Sequence, residues 1–234
     1  CMVSELPGGN ASVATKNACV NAPGGRMKRI LLTPLLLLMT LPTLGETVMF
    51  SQDKQGALPA GWLAGVTGRG QPKWTIEADP TAPNGANVLK QSGSGDFPWC
   101  VKQDASITDG YVEVKFKPIA GRDDQAGGVV WRWKDGNQYY VARANALENN
   151  VSLYYTIGGR RHTIKYQETP VAARVWHTLR VEFAGSHIQV SLDGKRQIDV
   201  TDEHISGAGA VGVWTKADSV TVFDAFSFSA AVSK

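Results

Sequence analysis

The densest run of side chains able to do chemistry lies between Gln125 and Lys165. Extended-chain alternation puts Tyr139, Val141, Arg143 and Asn145 on one face, with Tyr140, Ala142 and Ala144 on the other. If Val129, Trp131 and Trp133 face one way on the preceding segment, Arg132 faces the other. Glu148, Asn149 and Asn150 make the following turn, and Tyr154 and His162 lie on the hairpin after it. Planar donors and acceptors match pairs of sugar hydroxyls, and aromatic rings cover the apolar side of a sugar ring. Arg132, Tyr139, Arg143, Asn145, Glu148, Tyr154 and His162 are therefore the expected binding face for an oligo- or polysaccharide. The same alternation describes any solvated sheet face, so a groove or pocket is needed to distinguish the two. Were a glycosidic bond hydrolysed here, Glu148 is the acid nearest the cluster and Asp124 its candidate partner. An elimination reading uses the same residue types: Arg143 and Asn145 to neutralise a uronate, Tyr154 or His162 to take the proton.

The elements that must position these residues are strands. Val112, Val114 and Phe116 alternate with Glu113, Lys115 and Lys117; Leu179-Arg180-Val181-Glu182-Phe183 and Ile188-Gln189-Val190-Ser191-Leu192 repeat the pattern. This is the signature of half-buried antiparallel strands. Asp135-Gly136-Asn137, Gly158-Gly159, Gly185-Ser186 and Asp193-Gly194 supply hairpin turns between them. No helical apolar stripe lasts three turns after residue 46. The expected fold class is all-β, an antiparallel sandwich of about a dozen short strands. Trp131, Trp133, Trp176 and Trp214 read as core or sheet-packing residues, His177 as structural, His204 as solvated, and Cys100 as a small buried apolar group.

Residues 27–45 have the layout of a secretory signal peptide: Met27-Lys28-Arg29, an apolar run broken by Pro34 and Pro42, and small residues before Glu46. The run is short of the roughly 20 apolar residues that span a bilayer, so no stable membrane anchor is expected after cleavage. Residues 1–26 are polar and without hydrophobic period, and read as a non-native or disordered extension ahead of Met27. One domain is expected over 46–234, in a secreted, periplasmic or extracellular protein. Of 24 basic and 21 acidic residues, four basic and one acidic precede residue 46, so the remainder is neutral. A nucleic-acid footprint is absent. Cys100 alone among the three cysteines falls in the domain, which excludes an internal disulfide framework there.

From Gly110 onward the order of strands has a family likeness. It is carried by Gly127-Gly128-Val129-Val130-Trp131-Arg132-Trp133, by Asp135 to Arg143, by Trp176-His177-Thr178-Leu179-Arg180-Val181, by Val190 to Lys195, by Gly209 to Trp214 and by Phe223-Asp224-Ala225-Phe226. This resembles the concanavalin A-like lectin/glucanase superfamily, and within it the laminin-G-like and 3-keto-disaccharide hydrolase (family 16-like) domains of secreted bacterial proteins. The resemblance implies two stacked sheets in a jelly roll, one of them concave, with glycan on the concave face. Catalysis by family 16 glycoside hydrolases needs Glu-x-Asp-x-x-Glu on one strand. The only Glu-x-Asp here is Glu77-Ala78-Asp79, with Pro80 interrupting and Ala82 where the second Glu should stand. The Gln-Ile-His triplet of jelly-roll polysaccharide lyases is also missing. The resemblance further implies a structural calcium between the terminal strands, with Asp224 as its ligand and Asp53 able to join; the alternative for Asp224 is a turn cap. No cofactor is otherwise required. The expected function is glycan binding with possible hydrolysis; the alternatives are a non-catalytic lectin-like or adhesion module, a polysaccharide lyase, and a purely structural sandwich.

Overall fold

The computed structural model describes residues 45–231; the extension expected over 1–26 and all but the last residue of the leader expected over 27–45 lie outside the described residues. In chain order the strands are β1 (Glu46–Val48), β2 (Trp62–Gln71), β3 (Trp74–Ala78), β4 (Asn87–Gln91), β5 (Ser94–Ile107), β6 (Gly110–Ala120), β7 (Ala126–Asp135), β8 (Gln138–Asn145), β9 (Asn150–Ile157), β10 (Arg160–Glu168), β11 (His177–Ala184), β12 (His187–Leu192), β13 (Lys195–Thr201), β14 (Gly209–Trp214) and β15 (Val220–Ala230). Among the described residues no helix is long and apolar enough to cross a membrane.

The strands form two antiparallel sheets. Sheet I has the order β13-β12-β11-β6-β15-β4-β3, with β1 added beside β15. Sheet II has the order β10-β9-β8-β7-β14-β5-β2. The sequence alternation explains sheet I directly. Val112, Val114 and Phe116 of β6, Leu179, Val181 and Phe183 of β11, and Ile188, Val190 and Leu192 of β12 all face inward, while Glu113, Lys115, Arg180 and Glu182 face outward and Lys117 is buried against Asp79. The core between the sheets is built on them. Trp131 of β7 lies between Tyr140 at 5.2 Å and Phe183 at 5.8 Å, joining the two sheets across the core. Cys100 is buried in that core as a free thiol, and burial pushes its pKa well up. The expected all-β jelly-roll sandwich is the fold observed.

Sheet II departs from simple alternation, because its outer face is buried too. Trp99, Val101, Val130, Tyr139, Val141, Tyr154 and Trp214 form a second apolar cluster there, flanked by Phe97 and Trp133. Strong curvature is the cause. β10 and β5 are five strand spacings apart, about 24 Å on a flat sheet. Yet the Arg161 guanidinium of β10 sits 4.6 Å from the Phe97 ring of β5. β2 and β8 are four spacings apart, and Thr67 Oγ1 meets the Tyr139 hydroxyl at 2.7 Å. Sheet II therefore rolls its outer face inward, and this is the concave face. Gly65 makes room for the roll, since a Cβ there would lie 2.4 Å from the Trp99 ring.

A bulge in β7 corrects the expected facing of its side chains. Pairing with β8 is irregular between Trp131 and Asp135, and Arg132 has φ 46°. Trp131 points into the sandwich core, while Trp133, two residues on, packs against Trp99 at 5.2 Å on the outer face. Arg132 itself turns to the end of the sandwich. It donates to the carbonyls of Thr108 (3.2 Å), Ile205 (2.9 Å) and Gly185 (2.6 Å) and to Asp109 (3.1 Å), lying 5.6 Å from the Phe183 ring.

Candidate functional site

The antiparallel order brings the end of β8, the starts of β7 and β9, the end of β10 and the loop after β14 to one end of sheet II. Asn145 closes β8 there. Its side-chain carbonyl accepts the N–H groups of Gln125 (3.3 Å) and Leu147 (3.0 Å), and its amide donates to Asp124 Oδ1 at 2.5 Å. One residue thus fixes both the loop before β7 and the turn into β9. Arg143 lies two residues earlier on the same face and is 3% exposed. Its Nη1 donates to Asp124 Oδ1 at 2.9 Å and its Nη2 to Glu148 Oε2 at 2.6 Å. Lys216 brings its ammonium to 2.7 Å from Asp124 Oδ2, an ion contact whose angle makes no hydrogen bond.

Glu148 is the accessible member of this network, with 41% of its side chain exposed, whereas Asp124 has no exposed surface. Asn150 Nδ2 donates to Glu148 Oε2 at 2.9 Å and to the Tyr166 hydroxyl at 3.3 Å; the Ser152 hydroxyl donates to Asn150 Oδ1 at 3.0 Å. Burial acts to raise the pKa of Glu148, but the Asn150 bond and the charge and hydrogen bond of Arg143 outweigh it and hold the carboxyl below its usual range. Beside it opens a cleft of ≈510 Å³ lined by Glu148, Asn149, Tyr166, Glu168, Thr169 and Pro170. On the other side of the network a cleft of ≈560 Å³ is lined by residues that include Arg69, Asp96, Phe97, Asp123 and Lys216. Both clefts open at the same end of sheet II.

This arrangement can accept hydroxyls, and it is poorly built to move protons. Both carboxylates are clamped on arms of one guanidinium. A glycosidase acid needs a raised pKa, and Glu148 is held in the opposite direction. The Glu77-x-Asp79 pair lies on and just past β3, in sheet I, where Lys90 binds Glu77 (2.7 Å) and Lys117 binds Asp79 (2.6 Å).

The structure gathers Asp124, Arg143, Asn145, Glu148 and Tyr154 at this end, as the alternation implies. Asp124, Arg143, Asn145 and Tyr154 are buried, so they support the surface and Glu148 presents it. Tyr139 shares their face but is sealed in the second cluster, bonded to Thr67. Arg132 is a tie at the end of the sandwich, as described above. His162 falls on the opposite face: it pairs with Tyr155, not Tyr154, and stacks on the Tyr155 ring at 4.8 Å. Neither Arg132 nor His162 can therefore act with the others on one ligand. His204 is exposed, as expected, and also stacks on the same Tyr155 at 3.8 Å and bonds Asp202 at 2.9 Å. His177 is structural, held by Asp193 (2.7 Å) and the Ala172 carbonyl (2.9 Å). Sequence reasoning missed Lys216, Tyr166, Phe97 and Arg161.

Asp224 is fully buried at a bulge in β15. Its oxygens accept the N–H groups of Asn84 (2.8 Å) and Ala225 (2.7 Å), the latter at φ 49°. Among the described residues no three His, Cys, Asp or Glu side chains stand together as metal ligands. Asp53 meets Asn87 through its backbone carbonyl, at 3.3 Å. Asp224 therefore caps the bulge, and the calcium that the resemblance implies would have this one carboxylate and backbone carbonyls as its protein ligands.

The outer face of sheet I carries clefts of ≈540 and ≈640 Å³. The central cation there is already satisfied: Arg180 pairs with Glu182 (2.9 Å) and Glu113 (3.4 Å) and covers the Tyr111 ring at 3.8 Å. We therefore place the candidate site on sheet II.

No protein-family model matches the chain, and no curated protein matches it in sequence. Among solved structures it is similar to the carbohydrate-binding module CBM66 from Bacillus subtilis, with TM-score 0.58 and 22% identity over 71% of this chain and 93% of that one. It is also similar to cellulose induced protein Cip1, with TM-score 0.58 and 12% identity over 81% of this chain and 100% of that one. A Bacillus licheniformis β-glucanase matches with TM-score 0.53 and 13% identity over 80% of this chain and 98% of that one. At these identities the likeness establishes the fold alone.

Proposed function

We propose that this jelly roll, whose fold is that of the concanavalin A-like lectin/glucanase superfamily, binds oligo- or polysaccharide at the Glu148 end of its concave sheet and holds it without cleavage. One observation carries the reading: Glu148 is exposed, kept ionised, and fixed in place by a buried Arg143–Asp124–Asn145 frame beside an open cleft. A fixed carboxylate accepts two sugar hydroxyls at little entropic cost, because its frame is already ordered. Tyr166, 49% exposed across the same cleft, offers a ring face to the apolar side of a sugar. Export belongs to the same proposal and is supported by the leader pattern of residues 27–45.

The test is calorimetry on the purified full chain against a broad glycan panel, with mass spectrometry of each glycan afterwards. We expect saturable binding, unchanged glycan masses, and at least a roughly tenfold weaker affinity in Glu148→Gln and in Tyr166→Ala. Full affinity in both variants would move the site elsewhere. A product mass gaining water, or an unsaturated end, would make the protein a hydrolase or a lyase instead.

A further inference from the structure

The elimination chemistry considered from sequence assigns the neutralising of a ligand carboxylate to Arg143. The structure removes that role, because Asp124 and Glu148 already occupy both Nη arms of Arg143. Arg143 and Lys216 stand at this end of the sheet, and Arg161, from the start of β10, reaches back along the concave face to share the Tyr154 ring with Arg143; only two carboxylates, Asp124 and Glu148, are engaged with these three cations. The cation left over is Arg161. Among the described residues it makes no side-chain hydrogen bond and no ion pair, and its Nη1 is buried without a partner. The guanidinium is instead enclosed by rings: Tyr154 at 4.2 Å, Phe97 at 4.6 Å and Trp214 at 5.8 Å. Those rings hold it in position across the concave face but leave its N–H groups unsatisfied. A half-buried cation of this kind is costly unless an anion completes it. Burial pushes its pKa down; Tyr154 opposes this, the positive charge of Arg143 lowers it further, and Asp124 and Tyr139 act weakly against. Phe97, the ring against which Arg161 lies, also lines the cleft that Lys216 borders.

We infer that the glycan recognised here is acidic, and that Arg161 receives its anionic substituent, a uronate carboxylate or a sulfate ester. The inference rests on the glycan-binding reading above and names the class of ligand within it. Nη1 is buried against the rings, and the Nε–Nη2 edge of the guanidinium carries the two parallel N–H donors whose geometry carboxylate and sulfate oxygens accept. Lys216, paired with Asp124, borders the neighbouring cleft.

Matched pairs of polymers test it on the full chain: polygalacturonate against its methyl ester, and carrageenan against the same polymer chemically desulfated. We expect the charged member of at least one pair to bind about tenfold to a hundredfold more tightly, with affinity falling as sodium chloride is raised. Which pair discriminates separates carboxylate from sulfate. Arg161→Gln should bring the two members of the discriminating pair to similar affinity, while Arg161→Lys should keep part of the preference. Should Arg161→Gln fail to fold, the wild-type pairs and their salt dependence still decide the matter. Equal binding within both pairs overturns the acidic ligand and leaves glycan binding standing. Binding of no polymer overturns both.

Discussion

Replacing Asp124 with Asn removes one negative charge from a position with no exposed surface. The carboxylate there faces the Arg143 guanidinium at 2.9 Å, the Asn145 amide at 2.5 Å and the Lys216 ammonium at 2.7 Å. Breaking a buried pair by neutralising one partner costs about 3–5 kcal/mol, because the other charge stays buried. Arg143 keeps Glu148, and Lys216 is partly solvated, so the lower end applies: about 3 kcal/mol. For a domain of this size each kcal/mol moves Tm by about 2–4 °C, giving a fall of roughly 6–12 °C. Glu148→Gln is the internal comparison. It neutralises the other carboxylate on the same guanidinium, but solvent screens that pair, and about 0–1 kcal/mol is expected. Thermal unfolding followed by tryptophan fluorescence reads both variants. Equal losses in the two, or a loss under about 1 kcal/mol in Asp124→Asn, would refute the idea that Asp124 frames the site while Glu148 serves it.

Three further outcomes follow from the same geometry. Arg132→Gln should cost about 1–3 kcal/mol, since it strands the buried Ile205 carbonyl and unties the part-buried carbonyls of Thr108 and Gly185, yet the folded fraction should bind glycan with unchanged affinity; a selective loss of affinity would return Arg132 to the ligand face. Gly65→Ala forces a methyl into the space of the Trp99 ring and should destabilise by about 1–3 kcal/mol with an altered near-ultraviolet dichroism; a silent substitution would argue against the tight roll of sheet II. The folded-state pKa of Glu148 lies below its ordinary 4.5, so its ionised form stabilises the fold above that value and the contribution fades as pH falls through the lower one. The Tm gap between wild type and Glu148→Gln should therefore be largest near neutrality and close in acid; a gap that widens in acid would show the pKa is raised.

Half of the architecture is written in local pattern. Strands β6, β11 and β12 alternate because one face meets the core and the other meets water, and period two is all that requires. The Asp-Gly and Gly-Gly turns then place the hairpins. The concave face was harder to read because its burial comes from curvature, which joins residues five strands apart and leaves no local trace. Tyr139 and Arg143 therefore looked like members of a solvated face. The facing of His162 was legible and overlooked: a two-residue turn at Gly158-Gly159 pairs Thr156 with Arg161 and Tyr155 with His162, which sends Tyr154 and His162 to opposite sides. Arg132 was not legible in this way. A non-glycine residue at positive φ carries no sequence mark, and the bulge it makes reverses every side chain beyond it.

The roll of sheet II also sets an order of opening for the molecule. Strands β8 and β9 are covered on one face by the sandwich and on the other by the second cluster, whereas β13, at the edge of sheet I, shows solvent the side chains of Lys195, Arg196 and Asp199. Amide protons in β8 and β9 should then exchange with deuterium only through global unfolding, while those of β13 exchange through local fraying. A molecule whose sheet I edge has come loose gives up the Thr169–Gln197 hydrogen bond at the rim of the Glu148 cleft but keeps the Arg143–Asp124–Asn145 frame behind it, so ligand would continue to find that carboxylate in place.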